Sequence, residues 1–218
     1  MAKTNTKKIL TISLAAIFGI AMIASPTGVD AMGSFLDVKK AKIVTDSSEF
    51  EKAKFSTKAQ ITTDGTGGAF GFGVISGAGL EAIAVTTTHG GVLDSIAQID
   101  ANDASFHNHY VALQNSTDAD PLIGTGLCPG LEVRDITFQE PGDVDIDNKK
   151  ANMEDVPYYF AGTHSLSGAN ISFLADENVV DAVSFTIAPV FNVGGGIDAV
   201  CINDVSSANN LQVKEKND

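Results

Sequence analysis

The sequence predicts a mostly β protein, an antiparallel, Greek-key-like β-sandwich, on three observations. Short runs rich in β-branched and aromatic residues recur from Ala59 onward. Clusters of Gly, Asn and Asp separate them, notably Asp64-Gly65-Thr66-Gly67-Gly68, Gly77-Ala78-Gly79, Pro129-Gly130, Pro141-Gly142 and Gly194-Gly195-Gly196. Trp is absent and Phe supplies most of the aromatic material for a core. Many short strands with turn signals between them mark sandwiches and barrels. The candidate strands cover residues 59–63, 69–76, 82–88, 105–113, 133–139, 171–174, 179–189 and 197–202.

Four segments follow along the chain. Residues 1–31 read as a signal peptide: Lys3, Lys7 and Lys8 open it, an apolar run covers 9–24, and Val29-Asp30-Ala31 offers a small-x-small cleavage triplet with the cut after Ala31. The run is 16 residues, short of the roughly 20 that span a bilayer. The expectation is therefore a secreted, extracytoplasmic chain with no transmembrane anchor after cleavage. Residues 32–58 form a charged N-terminal segment, where Asp46 with Glu49 three positions on has capping-box spacing and predicts a short helix through Phe55. Residues 59–205 are the β-sandwich domain, and 206–218 read as a polar tail.

Net charge is −13 for the whole chain. Without residues 1–31 it holds 11 basic and 26 acidic residues, and six of the 11 lie between Lys39 and Lys58. Such an acidic body argues against nucleic acid, where binding depends on neutralising phosphates. It suits solubility or cation binding. Cys128 and Cys201 are an even pair in an exported chain, which favours a disulfide, and neither sits in a CxxC pattern that would favour a thiolate metal ligand. Asn115-Ser116-Thr117 and Asn170-Ile171-Ser172 are glycosylation sequons.

The histidines carry the sharpest chemical signal. His107 and His109 are two apart in Ser105-Phe106-His107-Asn108-His109-Tyr110-Val111. On a strand such residues share a face, so their imidazoles stand close enough for one ion, and Val111 and Leu113 continue that face with apolar groups. His89 lies at a strand end, where an antiparallel return would bring it beside the pair, and His164 is a fourth candidate. Neutral imidazoles suit copper or zinc, with Asp94 and Asp103 as further ligands or as carboxylates that orient the rings. The competing reading is four ordinary loop or hydrogen-bonded core histidines. Convergence of His89 on His107 and His109 discriminates between the two.

A second candidate cation site is acidic. Asp143, Asp145, Asp147 and Glu154 have the 1, 3, 5, 12 spacing of a calcium loop, but Asn148 stands where that loop needs Gly. Val144 and Ile146 alternate with the aspartates, which equally describes a strand with an acidic outer face. The sequence has no G-x-S-x-G elbow and no Walker loop. The glycines of Gly71-Phe72-Gly73 read as close backbone packing.

Two resemblances attach to these motifs. The stretch from His89-Gly90-Gly91-Val92-Leu93-Asp94-Ser95 to His107-Asn108-His109-Tyr110, behind an export signal, resembles exported proteins of ammonia-oxidising archaea; it implies origin and export, with no settled activity. Phe106-His107-Asn108-His109 resembles the Phe-His-x-His copper strand of copper/zinc superoxide dismutases. The order of Cys128 and Cys201 around it is similar to that family's disulfide. The later zinc-site histidines of that family have no counterparts beyond His164, so the resemblance implies a sandwich and a copper-type strand, not dismutase activity. The sequence therefore leads to a secreted β-sandwich that binds copper or zinc through a His cluster, with catalysis an open question. The alternative is a non-catalytic cell-envelope or adhesion protein, stabilised by calcium at the acidic segment.

Overall fold

A computed structural model describes residues 33–117 and 124–216. Residues 1–31, read from the sequence as a signal peptide, lie outside the described residues. The described chain forms strands β1 (Val38–Thr45), β2 (Glu49–Thr57), β3 (Phe70–Ser76), β4 (Ile83–Thr88), β5 (His107–Asn115), β6 (Leu131–Ile136), β7 (Asp143–Asp147), β8 (Lys150–Pro157), β9 (Tyr159–Thr163), β10 (Asn170–Leu174), β11 (Val179–Phe191), β12 (Ile197–Ser207) and β13 (Leu211–Glu215). The predicted class, mostly β and antiparallel, is what the chain adopts. The expected Greek-key-like sandwich is not confirmed: six strands close into a barrel in the order β11-β12-β6-β5-β4-β3. A five-stranded sheet, β13-β1-β2-β8-β7, and a two-stranded ribbon, β10-β9, complete the fold.

Closure follows from the two long C-terminal strands. β11 pairs with β3 over Val179–Thr186 and with β12 over Val183–Phe191, and each ladder carries register shifts. Bulges bend a strand and raise its twist, which lets a sheet curl onto itself. β12 then meets β6 to close the ring, through only two partner pairs, Cys201↔Glu132 and Ile202↔Leu131. The Cys128–Cys201 disulfide forms at this seam.

Alternation along the barrel strands makes two cores. Ile83, Val85, Val111, Leu113, Val183 and Phe185 form one cluster inside the barrel. The intervening Ala84, Tyr110 and Ala112, with Phe70, Phe72 and Val74, belong to a second cluster with Ile43, Phe50, Phe55 and Met153 of the five-stranded sheet. Phe55 stacks on Phe72 at 5.5 Å between ring centroids, and the Tyr110 hydroxyl donates to the Pro157 carbonyl at 2.9 Å. The reading of Gly71 as close packing holds. A Cβ there would stand 2.7 Å from the Thr86 carbonyl oxygen and 2.8 Å from the Phe185 ring.

Three local expectations change. Residues 46–55 are not helical: Asp46 Oδ1 accepts from the Ser48 and Glu49 amides, so its capping chemistry closes the β1–β2 hairpin instead of starting a helix. Phe50, Ala53 and Phe55 are buried along β2. Residues 59–63 lie outside any strand, although Ile61 is buried and its amide donates to the Asn148 carbonyl. The polar segment after 205 carries β13, which pairs parallel with β1 from Ala41↔Leu211 to Thr45↔Glu215. Ladder bonding orders it despite a sequence that offers little to bury.

The acidic segment is a hairpin, not a calcium loop. β7 pairs with β8 so that Asp143 faces Glu154, Asp145 faces Asn152 and Asp147 faces Lys150. The three aspartates are exposed while Val144 and Ile146 turn inward. A calcium loop must curl its ligands around one point, and an extended strand spreads them along a line. Glu154 is already engaged by Lys52 and Asp147 by Lys150. Asp145→Asn should change the unfolding free energy by less than about 0.5 kcal/mol in urea titration, and calorimetric titration with millimolar calcium should give no heat in either protein. Saturable calcium binding abolished by that substitution would restore the loop.

Candidate metal centre

The barrel register builds the site. Val85 is opposite His109 and Thr87 opposite His107 on the β4–β5 ladder. The inward positions of β4 are every second residue, so His89 is the next inward position beyond Thr87 and reaches the His107 ring. His89 Nε2 lies 3.2 Å from His107 Nε2, and the His107 and His109 rings stand edge to face at 4.9 Å. The convergence of His89 on the HxH pair, on which the metal reading depended, is met.

Asp94 completes the group. Its carboxylate is 3.1 Å from His89 Nε2, 3.4 Å from His107 Nε2 and 3.7 Å from His109 Nε2. One donor atom from each of the four residues falls within a sphere of contacts no wider than 4.8 Å, and all four residues are buried. Asp94 is held there by its loop. Gln98 Oε1 accepts from the amides of Asp94 and Ser95, and Gln98 Nε2 donates to the carbonyls of Val92 and Asp103. Ser165 Oγ donates to the Asp94 carbonyl at 2.7 Å, and Ser95 Oγ to Glu140 Oε1 at 2.7 Å.

The hydrogen bonds fix which nitrogens carry protons. His107 Nδ1 lies 2.8 Å from the Ser105 carbonyl and His109 Nδ1 2.7 Å from the Thr137 carbonyl. A carbonyl only accepts, so each Nδ1 is protonated and, in a neutral ring, each Nε2 presents a lone pair. Those lone pairs point at one another and at a carboxylate that also only accepts. Among the described residues, His109 Nε2 and Asp94 Oδ1 have no hydrogen-bond partner. His89 Nε2 stands 3.1 Å from Asp94 Oδ2 and 3.2 Å from His107 Nε2, where one N–H serves one of them, but the lone pairs on His109 Nε2 and Asp94 Oδ1 stay unsatisfied at a buried point, and a cation there would satisfy both. Backbone carbonyls behind the imidazoles are the usual means of orienting metal-binding histidines.

Electrostatics agree with this picture. Burial lowers the His109 imidazole to about 4, against a smaller opposing pull from Asp94. Burial would raise the Asp94 carboxyl, but the imidazoles of His107 and His89 outweigh it and hold Asp94 well below the usual carboxylate range. The group thus holds an ionised carboxylate and, at His109, an imidazole that resists protonation, the forms that bind metal. For the metal-free protein the sign is fixed. His109 titrates near 6.5 when unfolded and about 4 when folded, so its stabilising contribution is complete above pH 6.5 and lost as pH falls toward 4. The unfolding free energy from urea titration should be flat from pH 8 to 7 and drop below pH 6.5, by on the order of 3 kcal/mol in total. A His109→Gln variant should lose that part of the decline.

The remaining sequence candidates go elsewhere. His164 is not one of the four: its Nδ1 accepts from the amides of Leu166 and Ser167, both at 3.2 Å, and so caps a turn. Asp103 accepts from the amides of Ile99 and Ser105, which hold its carboxyl at about 2 and tie down the loop that carries Asp94. Asp94, read from sequence as a ligand or an orienting group, stands at the centre. Sequence reading missed Gln98, Thr137 and Glu140; the one local signal was a Gln four residues after Asp94, the spacing of a side chain that caps its own loop. The predicted pairing of Cys128 with Cys201 is present.

The site borders an interior space. His89 and Asp94 contribute to the wall of a cavity of about 360 Å³ that is otherwise lined mostly by the apolar inward side chains of the barrel. Comparison of the chain with protein-family models, with curated proteins and with solved structures finds no match.

Proposed function

We propose that this is an exported transition-metal-binding protein that holds copper or zinc between His89, His107, His109 and Asp94. The observation that carries the reading is the inward aim of these four groups: both HxH rings donate Nδ1–H to carbonyls, and the opposed Nε2 and carboxylate atoms share a buried point. Three imidazoles and one carboxylate without thiolate suit borderline divalent ions, zinc or copper(II), either of which can take a fifth donor beside these four. The export signal and the disulfide support a working place outside the cytoplasm, where thiols oxidise and histidines are the natural transition-metal donors. The envelope or adhesion alternative drew on calcium at the β7 aspartates, which instead line the outer face of a hairpin.

The test is elemental analysis of protein purified without a polyhistidine tag, joined to anomalous scattering at the site. About one copper or zinc per chain is expected, and a His107→Ala/His109→Ala variant should carry none. Wild-type protein that stays metal-free after exposure to both ions, with unchanged stability, would sink the proposal. A copper(II) electron paramagnetic resonance signal with nitrogen couplings would decide between the two metals.

A further inference from the structure

We infer that the barrel interior is a binding site for a small apolar monoanion, an alkyl or aryl carboxylate, whose head group meets the metal. The inference rests on the metal reading for its head group and on the cavity alone for its apolar body.

Protein interiors are close-packed, and voids much larger than a water are few. This barrel keeps a cavity of about 360 Å³, within the range of small-molecule sites. Ile83, Val85, Val111, Leu113, Val183 and Phe185 line it, and all six belong to the buried cluster inside the barrel. An apolar cavity of about 150 Å³ stays dry and takes up benzene, so this space matches a body of about two fused rings or an alkyl chain of similar bulk. Water would find few partners along such walls.

Gln114, Glu132, Arg134 and Asp198 also reach the lining, and it is the part formed by His89 and Asp94 that defines the head group. Only two of the four site residues, His89 and Asp94, border the cavity, while His107 and His109 are sealed behind them. A ligand in the cavity therefore approaches the ion from one side. A divalent ion with three neutral imidazoles and the Asp94 carboxylate carries one net positive charge. A monoanionic oxygen donor neutralises it in a medium where an unpaired charge is costly. Without the ion, the same anion would face the Asp94 carboxylate and be repelled. Binding of the anion is thus coupled to the metal, and binding of a neutral ring system is not.

Titration of the protein with 1-naphthoate and with naphthalene, each with and without one equivalent of zinc, separates these claims. Naphthalene should bind both forms within about twofold, and 1-naphthoate should bind the zinc form at least about tenfold more tightly than the metal-free form. Val183→Phe should fill the space and abolish binding of both probes while zinc stoichiometry stays at one. Leu113→Phe serves the same end if the first variant fails to fold. Failure of naphthalene to bind either form overturns the inference even where zinc binds. Equal 1-naphthoate affinity with and without stoichiometric zinc overturns the head-group assignment alone. If zinc itself does not bind, the metal reading and the head group fall together, and naphthalene still reports on the cavity.

Discussion

Saturating zinc should raise the thermal midpoint of the metal-free protein by about 10 °C, and Asp94→Asn should abolish the rise. Binding at a thousandfold excess over Kd adds about 4 kcal/mol to the folded state, and each kcal/mol moves the midpoint of a chain this size by about 2–4 °C. Asp94 supplies the only carboxylate in the group. Its replacement leaves three neutral rings with nothing to offset the ion's charge, and zinc affinity should fall by at least about a hundredfold. The metal-free protein should be less stable as well, because His89 and His107 hold the Asp94 carboxyl well below its usual range, so the ionised carboxylate stabilises the folded chain at neutral pH and an amide does not. Calorimetry of both proteins with and without zinc checks the pair of signs. A variant that is destabilised without zinc, and still gains from zinc, would mean that the carboxylate orders its loop and is not a ligand.

Loss of the disulfide should be the largest purely structural effect. Cys128 and Cys201 are 73 residues apart, and opening a loop of that length removes about 4 kcal/mol in the chain-entropy account, about 10 °C in midpoint. Its position makes the loss uneven. β12 and β6 share two ladder pairs, and one of them contains Cys201. The approach to β6 is otherwise held by Glu132, whose Oε1 accepts from the Thr125 amide and Gln114 Nε2. In Cys128→Ser/Cys201→Ser, hydrogen exchange should accelerate first at 197–203 and 131–133, ahead of β3 and β4. Thr137, which orients His109, lies just past the end of β6, so metal affinity should weaken as the seam loosens. Uniform loss of protection across the barrel would show that the disulfide acts only through the unfolded chain.

The fold class and the ligand types were legible in the sequence because they depend on local rules. Turn clusters and β-branched runs report strands, and spacing by two places His107 and His109 on one face whatever the rest of the chain does. An even cysteine count behind a segment read as an export signal pointed to the bond that forms. The same local signals misled at Asp46, where one capping pattern serves both a helix and a hairpin turn, and at 143–154, where three alternating aspartates fit a loop or a strand equally well.

Register, closure and long-range approach are different in kind, since each depends on residues far apart in the chain. By itself the sequence determined a β protein with an HxH strand, a nearby histidine and a cysteine pair. Tertiary structure decided that the sheet closes into a barrel, that Asp94 and not His164 joins the histidines, and that the site borders an apolar cavity. The physical reason is that Asp94 is placed by Gln98 and Ser165 and the His109 tautomer by the Thr137 carbonyl, contacts that arise only once β4, β5 and β6 lie side by side.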